Sequence, residues 1–375
     1  MTPSYDVGVV GAGIVGLAHA YHLARRGQRV VVFERNAQAR GASVRNFGMI
    51  WPIGQPAGDR YDLALRSREH WRAVLSASGL WHDFAGSLHL AYHEDEAQVL
   101  REFTDSVAGE GRQYELLNAN EIHQRVPHVR TDGLQAGLFS REEMTVDPRQ
   151  VIAELPAWLS ATYGVQFQFE TTVRGYDDRT IETTRGSWHV PRLVVCTGID
   201  FREIAPEAFA SSGLVPCKLQ MMRTQPYGDE FRIGPMLAAG LTLRHYQSFS
   251  RCPSLPALID RLDTEMPEYH HFGIHVMTSQ NGRGEVIIGD SHEYGGRIEP
   301  FDKTRIDDLV LSYLASFLEI PSPTITGRWH GYYIKHPTEA FLIANPRPNL
   351  KCVNGVGGAG MTLSFGVAEL AIADW

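Results

Sequence analysis

Residues 6–34, "DVGVVGAGIVGLAHAYHLARRGQRVVVFE", decide the fold. "DVGVVG" is a short apolar run, "IVGLAHAYHLARRG" (14–27) carries helical periodicity, and "QRVVVFE" is a second run of strand length. Gly27 stands where a helix C-cap belongs. Strand, glycine-rich turn, helix and strand in this order make one βαβ unit. Its turn spaces Gly11, Gly13 and Gly16 as GxGxxG. The first glycine makes the turn and the second lets the backbone approach a pyrophosphate. The third lets helix pack on sheet, and the helix start at Ile14 and Val15 offers N–H groups to the phosphates. Such spacing alone is a weak signal, because glycines cluster in ordinary turns. Here Glu34 closes the second strand 21 residues after Gly13, where a carboxylate accepts ribose hydroxyls, with Arg35 next in line. The unit reads as a dinucleotide site.

The rest of the chain is consistent with that start. At 375 residues it is long enough for two domains, and 43% hydrophobic with 21% charged residues is the composition of a globular protein. The net charge of −8 is dispersed, with no basic run, which argues against nucleic acid or an anionic membrane as partner. No stretch approaches the ~20 apolar residues of a membrane span. Met1–Ser4 runs straight into a strand and leaves no room for a signal peptide, so a cytoplasmic location is expected. Cys196, Cys217, Cys252 and Cys352 lack CxxC spacing, which predicts reduced thiols rather than disulfides or zinc; no metal is expected.

Residues 59–79 predict a helix, as do 94–109 and 304–318. "TVDPRQVIAELPAWLSA" opens a helix with Asp147 as N-cap and Pro148 at its first position. Runs at "VQFQFETTV", "TIETT", "SWHV", "LQMMRTQPY", "FGIHVMTS" and "GEVIIGDS" predict strands, and His245 and His275 are read as strand residues. The β-rich middle lies between nucleotide-fold pieces at both ends. The expected fold class is therefore α/β, α+β overall, with two interleaved domains. Residues 1–80, 141–214 and 325–375 are assigned to a Rossmann-like cofactor domain, and 81–140 and 215–324 to a β-rich substrate domain.

Two further elements choose between NAD and FAD. "LVVCTG" (193–198) is a buried strand ending in Thr197 and Gly198, as in flavoproteins with two dinucleotide-fold halves. "GVGGAGMTLS" (355–364) is a second glycine-rich turn opening a helix. Amides of Gly357, Gly358, Ala359, Gly360, Met361 and Thr362 suit the electron-rich pyrimidine end of reduced flavin. The expected cofactor is FAD.

With these pieces in order, the chain resembles the D-amino acid oxidase/glycine oxidase family of flavin amine oxidoreductases over essentially its whole length. The matching stretches are "VVGAGIVGLAHAYHLARRGQRVVVFER", "GASVRNFG", "TVDPRQVI", "LVVCTG", "VIIGDS" and "GVGGAGMTLSFGVAELA". "RNFGMIWPIGQP", "GDSHEYG" and "WHGYYIKHP" look like a branch associated with phosphonate catabolism, implicated in oxidising 2-aminoethylphosphonate or its N-methyl derivative. The resemblance implies that the loop after Glu34 crosses the flavin. Ser43 and Asn46 would hold the cofactor, Gly48 and Met49 would pass close to its ring, and Val173 would meet the adenine side. Trp51 reads better as core packing. No cysteine lies in the "GYY" region where some relatives attach flavin, so FAD is expected to be noncovalent.

Relatives clamp the substrate carboxylate with an arginine near a G-x-R-P stretch. Here "WHGYYIKHPTEAF" offers Tyr332, Tyr333, Lys335 and His336 and no arginine. A planar guanidinium fork suits a carboxylate; several separate donors suit a tetrahedral dianion. The expected substrate is a small anionic amine. His245 in "LRHYQSF", His275 in "GIHVMTS" and Arg45 beside the flavin loop are further candidates, and each also reads as an ordinary structural residue. "VIIGDS" lacks the lysine found in relatives that react quickly with oxygen, so the acceptor is oxygen or another oxidant. The expected chemistry is hydride transfer from the amine's α-carbon, giving an aldehyde such as phosphonoacetaldehyde. A glycine, sarcosine or D-amino acid oxidase is the alternative. Two more distant alternatives are a flavin monooxygenase, because "IIGDSH" mimics a hydroxylase GD motif, and a non-catalytic FAD-holding subunit.

Overall fold

The computed structural model describes residues 5–177, 179–210, 212–295 and 297–375. The expectation placed on Met1–Ser4 lies outside them. Among the described residues the chain builds a six-stranded sheet, a nine-stranded sheet and two three-stranded sheets. The six-stranded sheet runs in the order Leu342–Arg347, Leu350–Asn354, Arg192–Val195, Val7–Val10, Val30–Phe33 and Gln166–Gln168. Its strands pair in parallel except the first, which is antiparallel to its neighbour.

The first strand and the helix Ile14–Arg25 are placed as their apolar periodicity predicts. That helix packs with Gly360–Ala371, the C-terminal helix, which in turn lies on Asp59–Ser78. All three share one core with the sheet, through Leu17, Leu23, Trp71, Val194 and Phe365. Asp147 caps Pro148–Tyr163 by accepting from the Arg149 N–H at 3.0 Å. Gly27, at φ +77°, ends the first helix in the left-handed conformation that glycine adopts without strain.

The nine-stranded sheet is centred on the long strand Val215–Pro226, which pairs antiparallel with Ile325–Lys335 and with Glu285–Gly289. The pairing with Ile325–Lys335 corrects the domain boundary at 325. That segment has no partner in the six-stranded sheet, and its ladder with Val215–Pro226 puts Tyr332, Tyr333 and Lys335 on the substrate-side wall. The expected strand "FGIHVMTS" begins only at Met277, with His275 in the extended approach to it. His245 likewise sits not on a strand but just after the short helix Gly240–Leu243. The four cysteines are buried and unbridged. Among the described residues no helix is long and apolar enough to cross a membrane.

Candidate active site

A cavity of about 640 Å³ lies between the two large sheets. The six-stranded side supplies Gly11, Gly13, Ile14, Val15, Glu34, Arg35, Ser43, Asn46, Val173, Thr197 and Gly198, with Gly357 to Thr362 from the C-terminal turn. All were expected from sequence. Gly16 and Gly48 were also expected, but neither lines the cavity. A Cβ on Gly16 would stand 1.9 Å from the Gly11 carbonyl oxygen, so the residue serves the close approach of helix to strand. A Cβ on Gly48, at φ +74°, would stand 2.0 Å from the Val146 carbonyl oxygen. Gly48 is thus required for close packing on the Val146 carbonyl.

Several side chains already have protein partners. Glu34 is buried, and its carboxylate accepts from the Ala12 N–H at 3.1 Å and from the Asn36 N–H at 3.0 Å. This pins the glycine turn to the end of the second strand. The Ser43 hydroxyl accepts from the Ile14 N–H at 3.0 Å, bringing the loop onto the helix start. Asn46 donates to the Ala42 and Ser43 carbonyls and accepts from the Gly48 N–H at 2.8 Å, so it shapes the loop from within. Trp51 is both core and wall: 4% exposed, it lines the cavity, and its backbone N–H donates to the Thr362 hydroxyl at 2.9 Å.

The fit to a flavin dinucleotide rests on three observations. The lining contains glycines at the helix start and at 357, 358 and 360, where backbone rather than side chain faces the space. Glu34 presents a carboxylate at the strand end. The Thr197 hydroxyl lines the cavity buried and without a partner, a cost that a polar ligand removes.

The opposite wall carries Met49, Arg45, Tyr332, Tyr333, Lys335, His245 and His275, all expected, together with Tyr246, Asp290, His292 and Tyr294, which were not. The signal for the last three was present: in "GDSHEYG", positions 290, 292 and 294 share one face of an extended chain. Lys335 Nζ lies 5.3 Å above the Tyr294 ring. Burial holds the Tyr333 phenol well above the usual tyrosine value, so its hydroxyl keeps its proton. Burial pushes His245 and His275 well below the usual histidine value, and His292 down to about 4, leaving three neutral imidazoles. Burial also raises the Asp290 carboxyl well above its usual range.

Four arginines line the cavity: Arg35, Arg40, Arg45 and Arg60. Arg35 pairs with Asp200, Arg45 donates to the His330 carbonyl at 3.2 Å, and Arg60 donates to Gln247 and the Thr338 carbonyl. Arg40 is exposed. None comes from the strands that wall the substrate side. His336 accepts from the Glu339 N–H at 2.9 Å and so fastens its own turn.

A cavity with a Rossmann-type turn on one side and a phenol, lysine and imidazole wall on the other suits a flavin-dependent oxidoreductase. The family described as "FAD dependent oxidoreductase", DAO, matches residues 6–375, and the chain belongs to it. Its cofactor is FAD. The chain is 26% identical over 232 residues to a glycine oxidase of Geobacillus kaustophilus, covering 58% of this chain and 61% of the relative. It is also 26% identical over 248 residues to a monomeric sarcosine oxidase of Streptomyces avermitilis, covering 63% and 61%. The aligned part thus spans about three-fifths of these curated relatives. In fold, the crystal structure of the Geobacillus kaustophilus glycine oxidase superposes with a TM-score of 0.78 at 20% identity, covering 100% of this chain and 94% of that one. The FAD-bound, dithionite-reduced L-α-glycerophosphate oxidase of Mycoplasma pneumoniae superposes with a TM-score of 0.76 at 17% identity, covering 100% and 96%.

Proposed function

We propose that the protein oxidatively deaminates a small anionic amine, 2-aminoethylphosphonate or its N-methyl derivative, to phosphonoacetaldehyde. The observation that carries this reading is the donor set of the substrate wall: Lys335 with Tyr332, Tyr333 and Tyr294, and no arginine in residues 329–341, the segment that carries Tyr332, Tyr333 and Lys335. Separate point donors match three phosphonate oxygens better than they match a planar carboxylate.

On the cofactor side, Glu34 would accept the ribose hydroxyls, the helix start at Gly13 to Val15 would meet the pyrophosphate, and Val173 would meet the adenine. Arg35, paired with Asp200, borders this end. Thr197 donates its free hydroxyl to the dinucleotide, and the amides of Gly357 to Thr362 face the flavin pyrimidine. Met49 and Trp51 wall the ring from water, and attachment is noncovalent. When bound, FAD supplies the two-electron acceptor for the substrate's α-hydride. Lys335 pairs with the phosphonate and so sets the distance from that anchor to the reacting carbon. Tyr333, held protonated, donates a second hydrogen bond. The amine binds deprotonated, so loss of hydride leaves an iminium that water hydrolyses to aldehyde plus ammonia or methylamine. The reducing equivalents pass on to oxygen or another acceptor.

A second reading, oxidation of glycine or sarcosine, is favoured by the names of the two curated relatives. Anaerobic mixing of the flavin-loaded protein with each phosphonate, glycine, sarcosine and D-alanine separates the two. Bleaching of flavin absorbance by a phosphonate is the expected result. Bleaching by glycine or sarcosine alone moves the assignment to the second reading. Reduction only by NAD(P)H would revive a monooxygenase.

A further inference from the structure

His245, His275 and His292 come from three separate segments, yet one ring nitrogen from each lies within 4.8 Å of the other two. The His245 and His275 ring centroids are 3.7 Å apart, and those of His275 and His292 5.0 Å. Asp290 completes the group: its Oδ1 is 3.2 Å from His275 Nε2 and its Oδ2 is 3.8 Å from His292 Nε2. The sheet creates the cluster, because His275 and Asp290 exchange backbone hydrogen bonds across adjacent chains at 3.3 and 3.0 Å.

The hydrogen positions make this arrangement informative. His292 Nδ1 lies 3.0 Å from the Gly273 carbonyl. A carbonyl only accepts, so Nδ1 carries the hydrogen, and the Nε2 lone pair points towards a carboxylate oxygen. A pair of this kind is satisfied either by a proton on the carboxyl or by a cation bound between the two atoms. Meanwhile His275 Nδ1 and Asp290 Oδ1 are buried with no hydrogen-bond partner. A carbonyl on the far nitrogen of a ligating histidine is also how such rings are commonly oriented.

We propose that His245, His275, His292 and Asp290 form a site for a divalent transition metal, zinc by its donor set, with an open position towards Lys335 that takes an oxygen of the substrate's anionic group. Three imidazole nitrogens and a carboxylate oxygen are a zinc-type set. Ligand nitrogens ~2 Å from a shared ion stand roughly 3–4 Å apart, so small side-chain rotations close the present spacing. All four residues line the cavity, which keeps a coordination position open. The part concerning the anion rests on the function proposed above; the metal site itself does not.

The test uses flavin-loaded protein freed of metal by chelator dialysis, then equilibrated with zinc sulfate and analysed for bound zinc. A His275→Ala/His292→Ala variant is compared with His70→Ala, which disrupts the one other histidine–carboxylate cluster among the described residues, His22, His70 and Glu369. Flavin content and melting temperature check that each variant is folded. One zinc per wild-type chain, kept in His70→Ala and lost or weakened at least tenfold in the double variant, is the expected result. No stoichiometric zinc in the wild type, or equal zinc in the double variant, overturns the site. Methylphosphonate, read by its perturbation of the flavin spectrum, then tests the open position. Zinc should tighten it at least tenfold in the wild type only. Stoichiometric zinc without that tightening leaves the metal site standing and removes the anion role. Aminoethylphosphonate turnover equally fast with and without zinc removes the anion role and leaves the function standing.

Discussion

Gly16→Ala tests whether the glycine fingerprint is needed for close packing. The added methyl would stand 1.9 Å from the Gly11 carbonyl oxygen and 3.0 Å from its carbon. Ordinary carbon–oxygen contact is about 3.3 Å, so helix and turn must part by more than 1 Å. The atom struck is backbone, at the turn that Glu34 ties down through the Ala12 N–H, so rotamer changes cannot absorb the clash. Overpacking of this kind costs ~1–3 kcal/mol, and a clash with fixed backbone belongs at the upper end. At about 2 °C per kcal/mol for a chain of this size, the melting temperature should fall by roughly 5 °C. The shift also pulls the helix N–H groups from the pyrophosphate position, so FAD affinity should fall at least tenfold. The assays are thermal unfolding of the flavin-free protein and fluorescence titration with FAD. Gly175→Ala is the control, because nothing lies within 4 Å of the methyl it adds. A Gly16→Ala protein that matches wild type in both measurements would refute the packing argument.

Burial raises the Glu143 carboxyl from 4.5 to about 7, so the folded state favours its protonated form. That contribution is complete below the unfolded value of 4.5, is lost as pH rises towards 7, and is flat above; the loss amounts to roughly 3 kcal/mol. Urea unfolding at about pH 5 and about pH 8 should show this fall in the wild type and a smaller one in Glu143→Gln. Lys335→Met should raise KM for aminoethylphosphonate about 10–100-fold, the worth of a charge-assisted contact, with flavin content unchanged; an unaltered KM in steady-state assays would exclude Lys335 from substrate binding. Thr197→Val should leave the flavin-free protein as stable or more stable, since its hydroxyl has no protein partner. FAD affinity should nevertheless drop about fivefold if that hydroxyl serves the dinucleotide, and equal affinity by titration removes the assignment.

The sequence by itself determined the dinucleotide-binding half. GxGxxG, Glu34 at the strand end, the Asp147 cap and the C-terminal glycine turn are each written within a few residues, and local spacing decides whether backbone can turn, cap or approach. Lys335, Tyr332 and Tyr333 were legible for the same reason, lying together in one short stretch. Only the tertiary structure decided the substrate wall. Antiparallel pairing of Met277–Gln280 with Glu285–Gly289 sets His275 beside Asp290 and His292, and the turn after Gly240–Leu243 carries His245 onto them. Strand register, not sequence distance, made that cluster. Gly48 shows the converse: the family resemblance implied a place beside the flavin, and only the structure shows the Val146 carbonyl beneath it, which excludes a side chain. Long-range neighbours like these are chosen by how whole sheets pack, and no local pattern encodes them.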